Sequence, residues 1–302
     1  MTDMPTDFRQ FLNNTYSFEL PIVEQSLEST DHTTKYRLRL FDGNIIEMVL
    51  IPDRSKSTLC ISSQVGCSRN CAFCATAKLG LERNLDTHEI VGQIVLVSSL
   101  NAQNIITNLV FMGIGEPLDN LQSVIDSLLI IQADNTLSFS PRRTTISTCG
   151  IPEGIIKLAD SGVKTKLAVS LNSAIDEKRD LLMPINRKYP LRELKQAILY
   201  FLRKTSYRVT FEYVLIPDCN MDSEDLLALK RFVGDISCKI NFIPFNSIPA
   251  MQYKSPTQEQ IDSFLKQAQG LNQAVTLRKS RGSEVFGACG QLAGIYKTKE
   301  TR

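Results

Sequence analysis

NLVFMGIGEPLDNLQSVIDSLLIIQ, residues 108–132, reads as a strand over Asn108–Gly113, a turn that opens with GIGEP and holds Glu116 and Asp119, and a helix over Leu121–Gln132. A short apolar run closed by glycine is a buried strand, and apolar residues returning every three or four positions mark the helix behind it. The same unit repeats outward. Further strands are expected near Leu59–Ser63, Thr144–Thr148, Lys166–Leu171, Val209–Ile216 and Lys239–Phe245. Helices near Thr87–Leu100, Pro152–Asp160, Leu191–Lys204, Ser223–Val233 and Thr257–Ala268 fall between or after them. Asp86-Thr87 before Glu89, Ser223 before Glu224-Asp225, and Ser255-Pro256-Thr257 before Glu259 read as helix starts. Six strand–helix units in succession predict an α/β protein: a partial (β/α)6 barrel of TIM type, with its chemistry at the carboxyl ends of the strands. Those ends carry the cysteine loop, GIGEP (113–117), STCG (147–150), SLN (170–172) and PFN (244–246). Ahead of them, Lys35–Ile51 alternates on both sides of Asp42-Gly43, a hairpin signal. Residues before about Thr30 show no clear period. Residues 1–52 are therefore expected to form a short accessory region with a β-hairpin, and residues 53–302 the core.

Composition narrows the class. A chain of 302 residues with 43% hydrophobic content buries a large core, and 34 Lys and Arg against 32 Asp and Glu exclude a surface coated in one charge. No apolar run reaches the length of a membrane span, and MTDMPTDFRQFLNN lacks the basic-then-apolar order of a secretory signal. A reducing, cytoplasmic compartment is expected. Eight cysteines then need an explanation other than a disulfide framework. Cys149, Cys219 and Cys238 stand apart and read as buried free thiols. Cys60, Cys67, Cys71 and Cys74 crowd together.

GCSRNCAFCATAKLG (66–80) spaces three cysteines as C-x-x-x-C-x-x-C. Structural zinc usually takes four ligands from paired C-x-x-C units. Three thiolates suit a 4Fe–4S cubane whose fourth iron stays open for another ligand. Radical S-adenosylmethionine (SAM) enzymes use that iron to bind the amino and carboxylate groups of SAM. Phe73 fits the aromatic residue found beside their last cysteine.

LCISSQVGCSRNCAFCATAKLG (59–80), FMGIGEPLDN (111–120), SPRRTTISTCGI (140–151), LMPINRKYP (182–190), INFIPFN (240–246) and ACGQLAG (288–294) extend this likeness. In that order, from about Glu47 to Ile295, the chain resembles the RlmN/Cfr family of radical SAM adenine methyltransferases of ribosomal RNA. The resemblance implies a radical SAM barrel with Cys67, Cys71 and Cys74 as cluster ligands. It implies that Gly115, Glu116, Ser147, Ser170, Leu171, Asn172 and Asn246 hold SAM. Cys289 matches the cysteine that is methylated and then gives a hydrogen to the 5′-deoxyadenosyl radical. Cys60 matches the thiol that resolves the protein–RNA adduct and leaves a Cys60–Cys289 disulfide, and Glu47 matches a carboxylate that handles protons. One cluster per chain, two SAM molecules per turnover, an electron donor such as flavodoxin or ferredoxin, and a monomer acting on 23S rRNA and possibly tRNA are expected.

Carbon 2 of adenine is a poor nucleophile, so a carbon delivered as a radical from sulfur answers a real chemical need. Pro117 and the PFN segment lean toward carbon 2; FCATAKLGLERNL, SPRR and the GQLAGIYKTKETR ending lean toward carbon 8. A cluster-binding paralogue that recognises RNA without methylating it is a further alternative. Three departures from the family pattern stand out: Asn172 in place of a histidine, SEVFG (283–287) in place of an acidic run, and a short N-terminal region. Glu47 also reads as an ordinary residue of an open strand face. Arg142-Arg143, Lys164 with Lys166, Arg203-Lys204, and Arg278-Lys279 with Arg281 are candidate phosphate contacts or ordinary solvated charges. Only the last group neighbours a reactive cysteine. His88 reads as a first-turn residue without a role.

Overall fold

The computed structural model describes residues 4–292, apart from 18, 55, 101–104 and 249–250. In chain order the elements are α1 (Thr6–Thr15), β1 (Ile22–Glu28), β2 (Thr34–Arg39), β3 (Ile45–Asp53), β4 (Lys56–Cys60), β5 (Gln64–Cys67), β6 (Gly80–Asn84), α2 (Thr87–Leu100), β7 (Ile106–Phe111) and α3 (Leu121–Gln132). Then follow β8 (Thr144–Thr148), α4 (Pro152–Asp160), β9 (Lys166–Ser170), α5 (Asp176–Leu182), α6 (Leu191–Lys204), β10 (Val209–Leu215), α7 (Ser223–Val233), β11 (Cys238–Pro244), α8 (Gln258–Ala268) and β12 (Ala274–Leu277).

One sheet of ten strands runs β1-β2-β3-β4-β7-β8-β9-β10-β11-β12, and β5 and β6 form a separate hairpin. The strands from β4 to β12 are parallel, while β1, β2 and β3 add to β4 as antiparallel neighbours. The parallel strands read as apolar runs because helices and the interior cover both their faces. Leu167, Ala168 and Val169 of β9 are all fully buried. On α2 the buried Ile90, Ile94 and Val97 recur at helical spacing and pack on the sheet. Residues from β7, β8, β9, β10 and β11 line a single cavity, so the sheet curls into part of a barrel.

The expected α/β architecture holds, with four differences, the first being α5, a helix beyond those expected. β12 adds a seventh parallel strand beside β11. The N-terminal stretch that shows no sequence period contains α1 and β1. The strand expected over Leu59–Ser63 ends at Cys60, because residues from Gln64 turn away into the β5–β6 hairpin. Two caps shift by a residue or so. Asp222, not Ser223, forms the capping box of α7 with Asp225, and Thr257 pairs with Gln260 rather than Glu259. The boundary expected after residue 52 falls inside β3, one residue before its end, and β3 pairs with β4 on both sides of it.

Candidate active site

The β5–β6 hairpin presents the cluster loop. Gly66 sits at φ +77°, and a Cβ there would fall on the carbonyl oxygen of Gly80, so only glycine lets the two strands close. Cys67 ends β5, and the loop to Cys74 is held by Ala72 N–H on Leu182 O (2.9 Å) and Cys74 N–H on Cys71 O (3.1 Å). Arg69 forks onto Asp119, its Nε 2.6 Å from Oδ2. Cys67, Cys71 and Cys74 all line one cavity. Burial pushes the Cys67 thiol up to about 12, the Cys71 thiol well above its usual range and that of Cys74 upward. Three crowded thiols ionise together only when bound metal takes up their charge. Among the described residues, no three His, Cys, Asp or Glu side chains are grouped to hold a metal ion. A cubane has a different demand, one thiolate for each of three irons, and the shared cavity fits it.

That cavity is open to solvent, and about 980 Å³ of non-atom space, open solvent included, lies within it. Its floor is the GIGEP turn. Gly115 (φ +108°) lies so close to Gln64 that a Cβ would meet the Gln64 Cβ at 2.6 Å. Glu116 ties three segments: its N–H donates to Gln64 Oε1 (2.8 Å), while its carboxylate accepts from Leu118 N–H (3.0 Å) and Cys149 N–H (2.7 Å). Burial pushes this carboxyl upward, and those donors pull the other way. Ser147, Ser170 and Asn246 line the cavity alongside Glu212, whose buried Oε2 has no hydrogen-bond partner among the described residues. Ser and Asn side chains together with an open carboxylate oxygen suit the ribose hydroxyls and amino group of a nucleoside such as SAM.

The segment carrying Cys289 lies on the cluster loop. Ala75 N–H donates to Gly290 O (2.7 Å), Thr76 Oγ1 to Leu292 O (3.1 Å), and Asn246 Nδ2 to Cys289 O (3.3 Å). Gln291 is buried and donates from Nε2 to Ser247 O (3.2 Å). Cys289 is exposed and lines both the first cavity and a second one beside it. The second cavity has an apolar wall of Ile51, Val110, Met112, Ile243 and Leu292, a basic edge of Arg278, Lys279 and Arg281, and Cys60 within it. Burial and the neighbouring Cys289 push the Cys60 thiol up to about 12, against the pull of Arg278.

Cys289, Cys60, Gly115, Glu116, Ser147, Ser170, Asn172, Asn246 and the three loop cysteines thus gather in two adjoining cavities. Asn172 lines the first but is engaged at both ends: Oδ1 accepts from Val214 N–H (2.9 Å) and Nδ2 meets Met183 Sδ (3.1 Å). Leu171 faces the core. Glu47 lines neither cavity. It is buried, not on an open strand face, and its Oε1 lies 3.2 Å from Lys35 Nζ. The end of ACGQLAG, from residue 293, lies outside the described residues. Sequence reading missed Glu212 and Arg179. The fully buried Arg179 guanidinium donates to Cys149 O (2.7 Å), Leu171 O (3.1 Å) and Asn186 Oδ1 (2.9 Å), binding the ends of β8 and β9 beneath the site. Its setting in the charged run DEKRD gave no signal of burial.

A curled parallel sheet with a three-cysteine loop at its carboxyl end and a cavity lined by Ser, Asn and carboxylate side chains beside it defines the class of radical SAM enzymes. The Radical SAM superfamily model matches residues 61–229. A dual-specificity RNA methyltransferase RlmN from Geotalea uraniireducens (strain Rf4) is 45% identical over 294 residues, covering 97% of this chain and 84% of that one. Another of that name, from Pelobacter propionicus (strain DSM 2379 / NBRC 103807 / OttBd1), is 47% identical over 264 residues, covering 87% and 75%. A crystal structure of a radical SAM methyltransferase from Sphaerobacter thermophilus superposes with a TM-score of 0.92 at 36% identity, covering 97% of this chain and 87% of that one. The chain belongs to the RlmN family of radical SAM methyltransferases.

Proposed function

We propose that this enzyme transfers a methyl-derived carbon to carbon 2 of an adenine in 23S rRNA, and in tRNA, by way of Cys289. The observation that carries the reading is the position of Cys289, whose residue lines the cluster cavity on one side and the cavity of Cys60 on the other. A sulfur placed there has access both to a methyl donor and to a substrate base. Cys67, Cys71 and Cys74 would hold one 4Fe–4S cluster, with SAM against Glu116, Ser147, Ser170 and Asn246. When bound, the cluster and SAM supply the one-electron chemistry that activates a sulfur-bound methyl group.

Cys289 accepts the methyl group on sulfur from a first SAM, and a second SAM serves the radical step. The apolar wall of the second cavity receives the adenine ring, and Lys279 at its basic edge faces the phosphates. Once the carbon is joined to the ring, Glu47, two positions along β3 from Val49 and on the sheet face that carries Cys60, handles the proton leaving the ring. The odd electron left by radical addition passes to the cluster that Cys67, Cys71 and Cys74 would hold. Cys60 then attacks the Cys289 sulfur: a sulfur–sulfur bond forms, the carbon–sulfur bond breaks, and the electron pair leaves with the carbon, which takes up a proton. External thiols reduce the resulting disulfide. Residues 1–52 serve as an accessory region and residues 53–302 as the catalytic core, in a cytoplasmic monomer reduced by flavodoxin or ferredoxin. Among the described residues, no helix is long and apolar enough to cross a membrane.

The test is Cys60→Ala. It should copurify with RNA joined covalently through Cys289, seen as a nuclease-sensitive species of higher mass that Cys60→Ala/Cys289→Ala lacks. Normal product formation by soluble Cys60→Ala would end this reading.

A further inference from the structure

Arg278 follows β12, its backbone N–H bonded to Phe242 O (2.8 Å) of β11. This anchor directs the side chain inward, where the residue lines both cavities. Its Nη1 comes 3.8 Å from Met112 Sδ, a weak acceptor, and among the described residues the guanidinium forms no ion pair. An arginine presents five donors in a rigid fork, and most of these stay uncommitted. The charged and titratable groups facing it are Cys289, Glu212 of β10 and Cys60 of β4. Those facing Cys60 are Cys289 and Arg278, with the backbone of Met112 beside them. Cys60 itself is tightly enclosed, 8% exposed, in an apolar cluster with Val49, Ile114 and Leu292. Besides Arg278, it is the Met112 backbone hydrogen bond that favours the thiolate an attack requires.

We propose that Arg278 is the positioning residue of the thiol pair, its guanidinium at the junction of the two cavities holding the negative charge that Cys60 must take on to attack Cys289. The assignment rests on the roles proposed above for the two cysteines. It also gives those roles an order. A Cys289 thiolate, the form that accepts a methyl group from SAM, competes for the guanidinium and opposes the charge of Cys60. A Cys289 sulfur carrying carbon is a neutral thioether, and Arg278 is then left to Cys60. Attack by Cys60 follows alkylation of Cys289 by electrostatics, and an early, unproductive disulfide is disfavoured.

The experiment follows alkylation of Cys60 by iodoacetamide in anaerobic, cluster-loaded protein from pH 7 to 11, with the site located by peptide fragmentation. Arg278→Gln should move the profile up by about one pH unit, slowing Cys60 alkylation about tenfold at a fixed pH below the midpoint. Arg278→Lys, which keeps the charge but loses the fork, should fall between that variant and wild type. Should Arg278→Gln fail to fold, Cys289→Ala carries the test: with the competitor gone, Cys60 should alkylate several-fold faster at the same pH. A wild-type profile in Arg278→Gln, with weakened RNA binding, would make Arg278 a nucleic-acid contact and overturn the proposal. An unchanged profile in Cys289→Ala would overturn it as well. Intact mass of the same wild-type samples reports separately whether Cys289 carries a methyl group, so failure of the broader reading is told apart from failure of this one.

Discussion

Lys35 Nζ lies 3.2 Å from Glu47 Oε1, with both side chains removed from solvent and on the sheet face that carries Cys60. The backbone of Glu47 is engaged too: its carbonyl accepts from Ser62 Oγ (2.6 Å), which in turn accepts from Ile114 N–H (2.9 Å) in the GIGEP turn. A buried ion pair adds little net stability over an apolar pair, but breaking it by removing one partner is costly.

Glu47→Gln should therefore lose about 3–5 kcal/mol in denaturant unfolding, because it leaves Lys35 buried with its counter-charge gone. Lys35→Met/Glu47→Leu should recover most of that loss yet form no methylated product. A double variant that turns over normally would reduce Glu47 to a packing role.

Iron tests the loop. Anaerobically purified protein should carry about four irons and four sulfides per chain, and Cys67→Ala, Cys71→Ala or Cys74→Ala should lose them. Gly66→Ala should lose them too with all three ligands intact, because its Cβ cannot fit against Gly80 O and the hairpin that presents Cys67 is forced apart. One zinc and no iron in the wild type would refute the cluster assignment.

The loop before Cys289 is strapped to the turn between β1 and β2. Asp31 accepts from Gly282 N–H (3.1 Å) and pairs with Arg281 (3.0 Å), and Glu284 accepts from Thr30 N–H (3.2 Å) and Ser29 Oγ (3.2 Å). Partial burial pushes Asp31 up, but the Thr33 and Gly282 hydrogen bonds and the Arg281 charge outweigh it, so its carboxyl ends below the ordinary 3.8. The Thr30 backbone hydrogen bond, with those of the Thr30 and Ser29 hydroxyls, holds Glu284 below 4.5. Both folded values are depressed, so the strap is fully formed above those ordinary values and is lost as pH falls through the folded ones. Hydrogen exchange at Gly282 and Thr30, corrected for the intrinsic rate, should show protection at pH 7 that disappears at low pH. Asp31→Asn should weaken it at Gly282 already at pH 7. Equal protection at both pH values would show that the strap does not depend on these carboxylates.

Cys289 should carry the methyl group. Intact mass of wild type expressed with ample iron should show a population heavier by one methyl, mapped to the Cys289 peptide, and Cys289→Ala should lack it. A methyl group on another residue would remove Cys289 from the pathway.

Much of this was legible in the sequence. Strands buried on both faces, such as Val209–Leu215, announce themselves by apolar runs, and Ile90, Ile94 and Val97 mark α2 by spacing. What escaped has a physical reason. In α1 only Phe8, Phe11 and Leu12 make an apolar face, too few to set a clear period, and every residue of the helix is at least partly exposed; β1 is an edge strand with no fully buried position. β12 has four residues and shows its strand character only beside β11. Spacing identified the three loop cysteines, because they share one loop. The meeting of Cys60, Arg278 and Cys289 is long-range, and only the curl of the sheet creates it.

The contacts of Ala75 with Gly290 and of Thr76 with Leu292 join two stretches more than two hundred positions apart in the chain. They make those stretches one unit of inheritance. A chimaera whose crossover falls between them would combine a cluster loop from one parent with a tail shaped to another. Exchange among relatives is therefore freest where the junction spares both stretches or carries them together.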